Sequence, residues 1–254
     1  MIKLVAALAA AAALTTAATS APAQAAEKPL SIVLVHGAFV DGSGWRPVYD
    51  ILTKDGYEVI VVQNSTATLE GDVATTTRAI ARAKHPVVLV GHSYGGSVIT
   101  EAGDNPKVHS LAYVAAFEPE VGESVATFLA KPVPGAPPVP VLPAQGGFLI
   151  CDIAKFPKAF AADVDPGLTA FMAASQVPWG LAAINSKTTK AAWKSKPTYD
   201  LITTQDHMIP TPAQRQMAAR AHANVTEINS SHAVMLSHPS EVAAFIERVA
   251  TATH

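Results

Sequence analysis

The sequence predicts an α/β fold: a mostly parallel sheet with helices on both faces, broken by one long insert. Three observations carry this. From Leu30 onward, short β-branched runs bounded by turn residues alternate with stretches of helical spacing. Turns bearing serine, aspartate and histidine directly follow several of those runs, at the strand ends where open α/β sheets meet ligands. Between residues 118 and 196 the alternation lapses, and ten of the 19 prolines fall there.

Residues 31–35 (SIVLV) are too short and too β-branched for a helix and end at His36-Gly37, predicting the first clear strand. A helix over 45–54 follows, then a strand over 57–62 (YEVIVV). Helical spacing over 72–83 predicts a helix with Asp72 as its N-cap. Residues 86–90 (PVVLV) form the next strand and 97–102 the helix behind it, while 108–115, 198–203 and 225–228 complete six strands, which two shorter ones can precede or join. The insert crowds prolines into 132–143 yet carries Phe128, Phe148, Phe156, Phe160, Phe171, Met172 and Trp179. With that much apolar surface to bury it is predicted to be a lid over the sheet end rather than a solvated linker.

Of 254 residues, 49% are hydrophobic and 15% charged, which fits a buried core and excludes a disordered chain. A net charge of −2, without a run of like charges, supplies no basic footprint for nucleic acid or anionic lipid. A small molecule is the expected partner, and the composition is silent on oligomeric state. The single cysteine, Cys151, excludes an intramolecular disulfide and a thiolate metal cluster. It reads as a small buried apolar residue, although its place in the lid leaves a reactive role open.

Residues 1–25 read as a signal peptide: Lys3 gives a positive head, 4–14 an apolar core, and 21–23 and 23–25 two Ala-x-Ala sites. The core, at 11 residues, is well short of the ~20 that span a bilayer, so a stable membrane anchor is not expected. The expectation is export to the periplasm or medium, with one domain over 26–254.

Residues 91–96 (GHSYGG) sit between an apolar strand and a helix, the setting of a nucleophile elbow. The glycines let the backbone pass closely while a strained turn lifts the Ser93 hydroxyl off the sheet. Serine needs a base to take its proton, and the base needs an acid to orient it. Asp206 follows the strand at 198–203 and His232 follows 225–228, in the chain order this architecture expects. Glu118, beyond the strand at 108–115, is the alternative acid, less suited because it opens the lid. The turn at 36–44 offers the Ala38 N–H, which with the Tyr94 N–H can hold a developing oxyanion. Phe39, Trp179, Met208 and Met235 are candidates to line the substrate pocket.

Together HGAFVDGSGW (36–45), GHSYGG (91–96), TQDHMIP (204–210) and SSHAVMLSHP (230–239) resemble the α/β-hydrolase superfamily, in the branch with plant methyl-ester esterases and hydroxynitrile lyases. The resemblance implies the α/β-hydrolase fold, Ser93 as nucleophile, Asp206 as acid, His232 as base, Ala38 and Tyr94 as oxyanion donors, and a lid. Two departures from the lyase pattern stand out: Gly37 where lyases carry threonine, and Ala233 where they carry the lysine that steadies cyanide.

The expected function is an exported serine hydrolase acting on small, largely apolar carboxylic esters through an acyl-enzyme, without cofactor or metal. His36 and His92 are expected to be structural, Asp163 and Asp200 to be solvated or capping. Rival readings are a cyanohydrin lyase, a perhydrolase or haloperoxidase using the same serine, and a ligand-binding protein that keeps the triad.

Overall fold

In the computed structural model, which describes residues 28–131 and 133–252, the helices and strands interleave from Ser31. The segment read as a signal peptide lies outside the described residues. The order is β1 (Ser31–Val35), α1 (Arg46–Lys54), β2 (Glu58–Val62), α2 (Leu69–Arg82), β3 (Val87–His92), α3 (Tyr94–Ala102) and β4 (Val108–Val114). Next come α4 (Val125–Leu129), β5 (Phe148–Leu149), α5 (Phe156–Phe160), α6 (Pro166–Ala174), β6 (Trp179–Gly180) and α7 (Leu181–Asn185). The chain then returns through β7 (Thr198–Thr203), α8 (Thr211–Arg220), β8 (Asn224–Ile228), α9 (Val234–Ser237) and α10 (Pro239–Thr251).

The six expected strands form one parallel sheet ordered β2-β1-β3-β4-β7-β8. β1 steps one way to β2 and β2 steps back across to β3, so right-handed crossovers put α1 and α2 on opposite faces. α3 packs on α2, and α10 packs on α1. Covered from both sides, every residue of β1 and β3 is buried, which is why these strands read as unbroken apolar runs.

Local chemistry moves several boundaries. α2 starts at Leu69, because Thr68, in extended conformation, caps it by accepting from Gly71 N at 3.1 Å. Asp72, expected as the cap, is instead fully buried inside the first turn. A 3-10 turn at Gly42–Trp45, capped by Asp41, precedes α1. α3 begins at Tyr94, directly after the serine. The two short strands, β5 and β6, do not join the main sheet; they pair antiparallel with each other inside the insert.

Candidate active site

Ser93 stands between β3 and α3 at φ +54°, ψ −124°, a conformation costing a non-glycine residue of order 1–3 kcal/mol. Backbone bonds hold it there. Its N–H reaches Val114 O at 3.3 Å, and its carbonyl accepts from Gly96 N at 2.9 Å and Phe117 N at 3.1 Å. β4 and the residues just past its end therefore pin the elbow from one side. The turn after β1 presses from the other: a Cβ at Gly37 would lie 2.6 Å from Ser93 Cβ, so only glycine fits there without displacement.

Asp206 sits beyond β7 with a donor for each oxygen. Met208 N and Ile209 N donate to Oδ1 at 2.7 and 2.9 Å, and Thr203 Oγ1 and Gln214 Nε2 donate to Oδ2 at 2.8 and 2.9 Å. His232 Nδ1 lies 2.7 Å from the same Oδ2, with both side chains wholly buried. A carboxylate can only accept, so Nδ1 carries the proton. Nε2 is then the bare nitrogen, and it has no hydrogen-bond partner among the described residues.

His92, the residue before the serine, brings this imidazole to the elbow. Its ring lies 4.6 Å from the His232 ring, and its Nε2 donates to the His232 carbonyl at 3.0 Å. Burial holds its imidazole well below the ordinary range, and the neighbouring His232 adds to that, so it stays neutral. Phe160 from the insert stands edge-on to His232 at 4.7 Å. His36 is equally committed to structure, since its Nδ1 donates to Gly37 O at 2.8 Å and its Nε2 accepts from Asn64 N at 2.9 Å.

Ser93 opens into a cavity of about 420 Å³ roofed by Phe128, Val139, Leu149 and Trp179 of the insert. Among the described side chains lining it, only Ser93 and Lys131 end in a polar or charged group other than the Trp179 indole N–H. Ala38 and Phe39 lie at its edge, Phe39 in the left-handed region at φ +65°. Tyr94 opens α3, where a first-turn amide has no partner within the helix. Phe39, Trp179 and Met208 face the cavity; Met235 does not. It borders a small separate void with Trp45, Phe160 and Met172, because α9 turns its apolar side toward α1 and the helices behind the site.

Of the two aspartates expected to be solvated or capping, Asp163 is exposed and Asp200 is not. Asp200 is buried in β7, and burial pushes its carboxyl up to about 8. Asp163 accepts from Ser230 Oγ at 2.8 Å and Ser231 N at 3.0 Å, and also from Ser231 Oγ, so the insert holds the loop that carries His232. Cys151 is buried, its thiol raised to about 11 by desolvation, which keeps it protonated and unreactive at neutral pH. Sequence reasoning missed Gln214. Besides Asp206 its Nε2 reaches Ile209 O at 2.7 Å, and its Oε1 accepts from Thr203 N at 3.2 Å. A lone glutamine on a polar helix carries no signal of such a role.

The alpha/beta hydrolase family model matches residues 32–245, and the chain belongs to that family. A carbendazim-hydrolysing esterase of a Nocardioides species is 37% identical over 134 residues, 46% of this chain and 53% of that protein. The chain thus spans about half the length of that relative. The structure of a pyrethroid hydrolase from Sphingobium faniae superposes with a TM-score of 0.74 at 24% identity, covering 88% of this chain and 98% of the other. A methylesterase from Arabidopsis gives 0.69 at 18% identity, over 87% and 98%. These two likenesses establish the shared fold.

Proposed function

We propose that the protein is a serine esterase that cleaves apolar carboxylic esters through an acyl-enzyme, Ser93 being the nucleophile, His232 the base and Asp206 the acid. The observation that carries this is the buried His232–Asp206 pair, whose tautomer leaves Nε2 bare and which His92 ties to the elbow where a strained Ser93 borders an apolar cavity. Ser93 attacks the ester carbonyl as Nε2 takes its proton. The Ala38 and Tyr94 amides meet the charge on the tetrahedral oxygen, and the imidazolium returns the proton to the leaving alcohol. Water then repeats the sequence on the acyl-enzyme. Cavity size and the shortage of polar groups favour esters with a hydrophobic body, in keeping with relatives named for carbendazim and pyrethroid hydrolysis.

The crowding at Gly37 argues against the lyase alternative. A threonine there, as in the lyase pattern, would push its Cβ into Ser93. We further propose that the protein acts outside the cytoplasm once residues 1–25 are removed, and mass spectrometry of secreted protein tests that directly. For the chemistry, a fluorophosphonate probe should label the native chain and not Ser93→Ala. Ester turnover by that variant should fall at least about 10³-fold. Unchanged turnover would end the proposal.

A further inference from the structure

A chain of contacts that the hydrolytic steps leave unused runs from the elbow to the insert. Tyr94 Oη donates to Asp72 Oδ2 at 2.9 Å. The other carboxylate oxygen accepts from Ser65 N at 2.9 Å, Ser65 Oγ at 3.1 Å and Thr66 N at 3.2 Å. Asp72, with no exposed surface, thus ties the residue after the serine to the turn before α2.

Thr66 passes the connection on. Held in the left-handed region at φ +55°, it donates its hydroxyl to Pro178 O at 2.7 Å and accepts from Gly180 N at 2.9 Å. The approach is so close that a Cβ at Gly180 would lie 2.2 Å from Ala67 O. Both neighbours of Trp179 are therefore anchored to one turn. The indole lies 5.5 Å from the Tyr94 ring and edge-on to Phe39 at 5.6 Å. Its Nε1 has no partner among the described residues, so these packed rings and the anchored backbone fix its orientation.

We infer that Asp72 is a positioning residue that, through the Tyr94 hydroxyl and the Thr66 turn, holds Trp179 as a fixed wall of the cavity and so sets which ester sizes reach Ser93. The inference rests on the esterase reading of the same site and names a determinant of its specificity. A buried carboxylate with four donors is a stiff joint, one end on the residue after the nucleophile and the other on the turn that grips the wall. Misplacing the wall by a fraction of an ångström changes the fit of a long acyl chain more than that of an acetyl group.

Tyr94→Phe and Thr66→Ala each cut one link and leave Asp72 in place; Asp72→Asn alters the joint while keeping its shape. Values of kcat and KM would be measured for 4-nitrophenyl acetate and 4-nitrophenyl octanoate, with melting temperature alongside. The ratio of the two kcat/KM values should shift about fivefold or more, in the same direction, in both single variants. The double variant should shift no further than the larger single one, because both cuts interrupt one chain. Fluorophosphonate labelling of Thr66→Ala should stay within about twofold of wild type. A ratio that stays put in Tyr94→Phe and Thr66→Ala while their melting temperatures fall shows a structural staple and overturns the inference, whether or not Asp72→Asn folds. Ser93→Ala in the same assays separates the two proposals. If it remains active, the esterase reading falls and takes this one with it; if it is dead while the ratios do not move, only the role of Asp72 falls.

Discussion

Two buried carboxyl groups stand beyond neighbouring strands of one sheet, Asp206 after β7 and Glu118 after β4, and either strand end can face an imidazole in such an architecture. Their surroundings differ. Asp206 meets two amides, a hydroxyl, a side-chain amide and His232 Nδ1, so the anion is solvated by fixed dipoles. Among the described residues no amide or hydroxyl donates to either Glu118 carboxyl oxygen, and the group that faces it is the Asp200 carboxyl. Burial pushes it well above the carboxylate range, the Asp200 charge adds to this, and Arg220 opposes it. The Arg220 guanidinium spends its bonds on Glu123 Oε2 at 2.8 Å and on the Glu118 carbonyl rather than the carboxyl. A carboxylate supports a base only where donors have replaced its lost water; burial alone makes it a neutral acid.

The sharpest way to break this contrast is to replace each carboxyl by an amide of the same shape. Asp206→Asn should lower kcat by about 10⁴-fold, because an amide at this place favours the wrong imidazole tautomer. Glu118→Gln should change kcat by no more than about twofold, since a neutral acid gives way to a neutral amide that touches neither Ser93 nor His232. Steady-state kinetics on one ester, with circular dichroism to verify folding, checks both. The reverse ranking would make Glu118 the acid.

A smaller effect tests whether the dipoles around Asp206 matter one by one. Gln214→Leu removes the Nε2 donor and keeps most of the volume, and kcat should fall about tenfold while KM changes little. Asp163→Asn probes a third carboxylate, which braces the serines preceding His232 from the insert. With part of that brace kept by the amide, a loss of about threefold in kcat is expected. If Gln214→Leu matches wild type, the acid is held by its backbone donors and the hydroxyl alone.

These supports also mark the limit of what the sequence made legible. β1 and β3 could be read because burial on both faces leaves continuous β-branched runs, whereas the part-exposed edge strand β8 could be read only from the short run at 225–228. Ser93, Asp206 and His232 could be singled out because each lies just past such a run. Gln214, Asp163 and Asp72 act across the fold, at 8, 68 and 22 residues from their partners, and an isolated polar residue in a helical or loop stretch looks the same whether it faces water or a buried carboxylate. Asp72 was misplaced for a local reason: Thr68, four residues earlier, offers a capping hydroxyl in extended conformation and starts the helix sooner. Met235 follows His232 closely, yet on the short α9 it lines a separate void with Trp45 and Phe160. Proximity in sequence to a catalytic candidate does not fix which side of a helix turn faces the substrate.

The smallest expected effect separates the two carboxyl groups by stability instead of rate. Glu118 and Asp200 form one buried pair whose protons are retained on folding: burial raises Asp200 from 3.8 to about 8 and Glu118 well above its ordinary 4.5. In the unfolded chain both ionise near pH 4. Between about pH 4 and pH 8 the folded state therefore binds more protons than the unfolded one, and stability falls as pH rises. The contribution is fully present below the unfolded values and is lost on the way up to the folded ones, the opposite of a salt-bridged carboxylate. The melting temperature of the native chain should thus decline from pH 5 to pH 8. In Glu118→Gln the decline should be shallower by a few degrees, because one proton-binding difference is gone. Calorimetry at closely spaced pH values decides the matter. An equally steep decline in the variant would mean that Glu118 is ionised in the folded protein, and the contrast with Asp206 would lose its physical basis.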